Sequence, residues 1–357
     1  MRSTRTTMNP SAPPVVAQPA PSVARTRAVR GAPVVLLACL ILLAVVVAGI
    51  AIGARDIAPA SVVRILFDPF GTGYDHDVLW TERIPRTLLG LTVGAALGAS
   101  GLVMQALTVN PLSDPGILGV QQGAALCVVL GILLLDVNDA SGFFWLALAG
   151  SAVTSAAVYV IGTRTRAGSS TLGLVLAGVA VAALLASIVT LLVVRDEVVY
   201  SSLRFWSVGQ LAGRAQVLDE IAPFAIAGLL LALPLGRTLN VLALGDDTAR
   251  GLGVRVERAQ LAGAAVAVLL CAAATAAVGP VAFVGLVAAH VARMLVGSDH
   301  RWSLPLSMVC GAVLLIGADT VGRVVLDHGE VQVSVMTGIV GTPFFVWLAR
   351  RRDLVRM

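Results

Sequence analysis

Few residues in this 357-residue chain could do covalent chemistry, and each is poorly placed for it. Gly98-Ala99-Ser100-Gly101 fits the G-x-S-G pattern of an intramembrane serine nucleophile, with His290 as a distant base. A serine becomes reactive only with a base in hydrogen-bond reach, and such a tetrad arises easily by chance where Gly, Ala and Ser are abundant. Hydrolysis of ATP on this chain is excluded more firmly. The phosphate-cradling loop needs a lysine, and the 25 basic residues are all arginine. Cys39, Cys127, Cys271 and Cys310 stand far apart inside apolar runs, without metal-ligand or redox spacing.

The remaining candidates are charged groups close to apolar runs. Arg83 and Arg86 flank Ile84-Pro85, Asp319 stands four residues before Arg323, and His290 and Arg293 share one turn. Ionisable groups at membrane depth are functional candidates by default. Asp319 and Arg323 could also pair along one helical face, and His290 could make a structural hydrogen bond in place of binding a metal. An ion-coupled transporter would carry more such groups deep in its spans than His290, Arg293 and Asp319.

Everything that must position these groups is apolar. The chain is 57% hydrophobic and only 13% charged, against roughly 25% charged in soluble domains. Ten runs approach the ~20 residues that cross a bilayer. They cover 34–54, 87–108, 116–135, 143–162, 171–194, 219–235, 258–278, 281–297, 304–322 and 331–348. The fold class expected is an all-α polytopic membrane protein with about ten transmembrane helices over residues 34–349. Before it, residues 1–33, rich in proline and arginine, read as a disordered basic tail, and 350–357 as a short basic one.

An even number of spans places both termini on one side. With the termini cytoplasmic, seventeen arginines lie on the inner segments and eight on the outer, which fits the positive-inside rule. The same distribution argues for lipid, and against nucleic acid, as the partner of the basic charge.

Two inner segments carry turn chemistry. In Asn110-Pro111-Leu112-Ser113-Asp114-Pro115-Gly116, Asp114 reads as a helix N-cap followed by a first-turn proline. Asp246, Asp247, Ala249, Gly251 and Gly253 belong to a stretch that reads as one or two helical turns, with acidic cap candidates at its start and glycines at its end. In the second span Gly90, Gly94 and Gly98 share a face that lets another backbone approach, more simply within one subunit than across a dimer.

Taken in order, Arg83 to Arg86, the Asn110–Gly116 turn, Leu244 to Val254, Gly279-Pro280-Val281-Ala282-Phe283-Val284-Gly285-Leu286 with His290 to Arg293, and Thr337 to Phe345 resemble the FecCD family of ABC importer permeases. That family handles iron siderophores, haem and cobalamin, and the resemblance implies the type II importer fold. It also implies an ABC ATPase below, a periplasmic or lipid-anchored binding protein above, and a second permease subunit alongside. The segment from Asp246 to Gly253 would couple to the ATPase, and Arg83, Arg86 and Arg323 would receive acidic groups of the binding protein. No cofactor would sit on this chain, since ATP and Mg belong to the ATPase. A ferric siderophore is the expected cargo at the cell inner membrane, with cobalamin or haem as alternatives.

The match is incomplete. Gln121 and Gln122 replace small hydroxyl residues, Ala289 replaces proline, and Gln332 and Ser334 follow Glu330 where proline and glycine are common. These departures weaken transfer of a substrate from any one relative.

Overall fold

The computed structural model describes residues 31–53, 57–68, 70–164, 171–326 and 329–350. The tail expected over 1–33 lies outside them up to residue 30, and the tail 350–357 lies outside them after residue 350.

Thirteen α-helices of six residues or more organise the described chain: α1 (Gly31–Ala51), α2 (Pro59–Leu66), α3 (Ile84–Leu107), α4 (Val120–Leu135), α5 (Ala140–Arg164), α6 (Thr171–Arg195), α7 (Glu197–Ser207), α8 (Leu218–Leu242), α9 (Asp246–Gly251), α10 (Val256–Val278), α11 (Val284–Val296), α12 (His300–Gly322) and α13 (Val333–Arg350). Seven segments are long and apolar enough to cross a membrane, and three shorter apolar helices, α4, α11 and α13, bring the set to the expected ten. Satisfying every backbone hydrogen bond inside its own segment is what makes the helix the spanning element in lipid.

Burial separates centre from periphery. The helical run Tyr74–Leu107 buries 78% of its apolar window, α10 67% and α12 56%, whereas α1 and α6 bury 11%. The glycine face of α3 explains the centre. A Cβ built on Gly94 would lie 2.6 Å from the Ala312 Cα, and one on Gly98 2.1 Å from the Ser307 carbonyl oxygen, so α3 and α12 touch backbone to backbone. A third contact brings Gly101 against Gly285 of α11. The glycines therefore serve packing within the chain, as the simpler reading held.

Three local departures from the expected spans have physical causes. The third span does not begin at Gly116: Pro115–Leu118 forms a 3-10 turn, and Gly119 at φ +76° redirects the chain into α4. The eighth span is short, 13 helical residues, or roughly 20 Å of rise against a ~30 Å hydrocarbon core. The residues ahead of it, from Gly279 to Phe283, are not helical: Gly279 takes φ +83° and Phe283 φ +67°, while Gln210 N donates to Val278 O at 2.9 Å at the end of α10. Finally, α7 was not anticipated; Asp196 caps it by accepting from Val198 and Val199, and Trp206 anchors it in the core.

Candidate functional site

Two polar sites occupy opposite ends of the bundle. At the first, Asp114 accepts from Gly116 N at 2.7 Å, as its N-cap reading required. Burial pushes the Asp114 carboxyl upward, while that backbone bond pulls it back. Beside this turn stands α9, six residues long, framed by Gly245 at φ +93° and Gly253 at φ +84°. Asp246 and Asp247 occupy its first turn, where they favour the positive end of the helix dipole, but neither is the cap; that position is Gly245.

The faces of α9 are unequal. Ala249 is wholly buried against its own chain, so it holds the helix in place and cannot face a partner. Asp247, Arg250, Gly251 and Leu252 are exposed, with Arg250 bridging to Asp247 at 3.3 Å and to Glu257 at 3.0 Å. Leu252 and Leu244, 62% and 60% exposed, were missed by sequence reading because leucine in an apolar chain carries no signal.

Between the end of α8, the Asn110 turn and the α11–α12 connection opens a cleft of about 550 Å³, lined among others by Gln105, Asn110, Asn240, Arg293, Asp299 and His300. Asn240 organises one wall: its Nδ2 donates to Asp299 at 2.7 Å and its Oδ1 accepts from His300 N at 2.8 Å. Hydrogen bonds from Arg301 and then from Asn240 hold the Asp299 carboxyl down at about 2, against the opposing effect of burial. On the other wall Arg293 donates to Gln105 Oε1.

At the opposite end a single carboxylate joins three segments. Asp319, 2% exposed, accepts from Arg86 Nη2 at 2.7 Å and from Arg323 Nε at 2.9 Å. Arg86 also reaches Glu330 at 2.8 Å. Arg323 donates onward to Gly49 O at 2.8 Å, and Arg83 to Ala51 O at 2.8 Å, so both guanidiniums grip the end of α1. Arg83 closes a π-helical turn, Val78–Arg83, that runs directly into α3.

This corrects the expectation that these arginines are exposed docking cations. Arg83 and Arg323 are 5% and 3% exposed, because carbonyls left unpaired at the end of α1 and one central carboxylate draw them inward. The anticipated pairing of Asp319 with Arg323 is present. Sequence reading missed Arg86 as its second partner, 233 residues away.

The residues considered for proteolysis are not assembled. Ser100 Oγ donates to Ala267 O at 2.6 Å, and His290 Nδ1 is bonded to Leu286 O at 2.9 Å. Among the described residues no hydrogen bond joins the two, so the hydroxyl has no base.

Comparison with known proteins agrees with this geometry. The FecCD transport family matches residues 40–351. The ferric enterobactin transport system permease protein FepD of Escherichia coli (strain K12) is 44% identical over 93% of this chain and 98% of its own. The hemin transport system permease protein HmuU of Yersinia pestis is 39% identical over 78% and 85%, and the cobalamin import system permease protein BtuC of Halobacterium salinarum 38% over 78% and 74%. A solved metal-chelate type ABC transporter in an inward-facing conformation superposes with a TM-score of 0.78 at 28% identity, covering 90% of this chain and 99% of that one.

Proposed function

The chain belongs to the FecCD transport family as a multi-pass permease subunit of a metal-chelate ABC importer, and we propose that it carries a ferric siderophore across the cell membrane by alternating access driven by a separate ATPase. The observation that carries this reading is the 44% identity to the enterobactin permease across nearly the whole of both chains. The cytosolic face is then the end with α9 and the Asn110–Gly116 turn, where the ATPase docks. The binding protein delivers cargo at the Arg86 end, and a second permease subunit completes the path. Of the three arginines first assigned to docking, Arg86 alone keeps appreciable surface, 14% of its side chain, to meet a binding protein.

Uptake of radiolabelled iron from a panel of ferric siderophores, in cells deleted for the gene and complemented with it, tests the cargo. Loss and rescue confined to one chelator class is expected. Unaltered uptake across the panel would transfer the proposal to haem or cobalamin.

Coupling through α9 has its own test. A Cβ added at Gly251 meets nothing within 4 Å in this chain, and the position is exposed. Gly251→Trp should therefore leave the permease folded and its amount in the membrane unchanged, yet reduce transport at least about tenfold by blocking the ATPase surface, a loss of ~1.4 kcal/mol or more. Full transport by this variant would remove α9 from the coupling path.

A further inference from the structure

The cytosolic cleft holds an unbalanced charge. Arg293 is partly buried on its wall, and among the described residues no carboxylate lies within ion-pair distance of it. The nearby carboxylate that lines the same cleft, Asp299, is committed to Arg301 at 2.9 Å and to Asn240. Among the described residues the one hydrogen-bond partner of Arg293 is the Gln105 carbonyl oxygen, and the buried Gln105 Nε2 has no partner. A guanidinium and an amide N–H held side by side, both short of acceptors, form an incomplete receptor for a carboxylate.

The surroundings indicate where that carboxylate comes from. Leu244 lines the cleft and is 60% exposed, and Val109, on another wall, is 81% exposed. Apolar side chains clustered at the aqueous end of a membrane protein, around a cationic recess, suit a protein surface more than a free anion or a lipid headgroup. Val109 is moreover held at φ +48°, a conformation unusual for a β-branched residue, which turns the chain at the lip of the cleft.

We propose that the Arg293–Gln105 wall of this cleft receives an aspartate or glutamate side chain of the docked ATPase subunit. The inference rests on the reading of this end as the ATPase face, and adds to it a specific charge-assisted contact beside α9. Seated between the Asn110 turn, the end of α8 and the α11–α12 connection, that carboxylate would tie three segments of the permease to one point on the ATPase. Neutralising the partly buried guanidinium, it would act on the closeness of α3 and α11 as well as on docking.

The absence of lysine from the chain makes a direct test possible. In the permease–ATPase complex isolated from its native membrane, Arg293→Lys places the only side-chain amine of the permease inside the cleft. A water-soluble carbodiimide then joins that amine to any carboxylate touching it, without a spacer. Peptide mapping is expected to find the position-293 peptide joined to an acidic peptide of the ATPase, and the yield should fall at least about fivefold when Gly251→Trp is added. Ser298→Lys, at the exposed rim of the same cleft, supplies a second anchor should the first variant not assemble. A complex that assembles and gives no ATPase cross-link from either position, or one only to Asp299 of its own chain, overturns the proposal. A permease that purifies without any ATPase overturns the reading beneath it instead, and co-purification distinguishes the two.

Discussion

Replacing Asp319 by alanine is expected to cost about 3–5 kcal/mol. The magnitude follows from what would remain. Arg323, 3% exposed, would keep the Gly49 carbonyl but lose its carboxylate, and Arg86 would keep only Glu330, whose side chain is 33% exposed. An isolated charge in a medium of low polarity is far costlier than the pair it came from. The cost is structural in its consequences as well, because the Asp319 cluster ties the end of α1, the start of α3 and the end of α12 together. Thermal unfolding of the purified complex in detergent measures it, with Glu330→Gln as a comparison expected to cost no more than ~1 kcal/mol. Stability of Asp319→Ala within 1 kcal/mol of the parent would show that water or lipid headgroups reach these guanidiniums and that the network is a surface feature.

The same cluster shows where sequence reading stops. Spans could be read because a bilayer imposes length and apolarity on each element separately, and the ten expected correspond to the ten apolar helices found. Asp114 could be read because capping is local: residue type and a following proline determine it within three positions. Arg86 could not be assigned to Asp319 in this way. Their contact depends on how α3 and α12 cross, and nothing near either residue encodes that crossing. Three arginines near span ends therefore looked like surface cations, whereas the fold spends two of them on the carbonyls of α1.

Ala249 and Leu252 reverse the intuition in the same manner. A family motif marks both as belonging to one segment, yet only the three-dimensional packing tells which of them faces inward. α9 is too short for a helical hydrophobic pattern to emerge, so alanine became the anchor and leucine the exposed residue without any periodic signal. The cleft beneath Arg293 was invisible for a related reason, since its walls come from three separate stretches of the chain.

Gly98→Ala is expected to destabilise the chain by about 1–3 kcal/mol or more, and Gly98→Leu to prevent assembly. The added Cβ would lie 2.1 Å from the Ser307 carbonyl oxygen and 2.9 Å from its carbon. Those are backbone atoms of a helix buried against several neighbours, so the strain can relax only by moving α12 away from α3. Moving it would also stretch the Arg86–Asp319 bridge one end of the pair away. Gly317→Ala on α12 is the control, because nothing lies within 4 Å of the added carbon; there alanine's better helix propensity should leave stability unchanged or raise it by up to ~1 kcal/mol. Unfolding measured on the isolated chain and dimer content measured by size together decide the meaning. Loss of stability in the single chain confirms that the glycine face welds α3 to α12. A Gly98→Ala chain that unfolds normally but no longer pairs with its second subunit would instead place that face at a seam between subunits, and the backbone contact described here would have to open for the dimer to form.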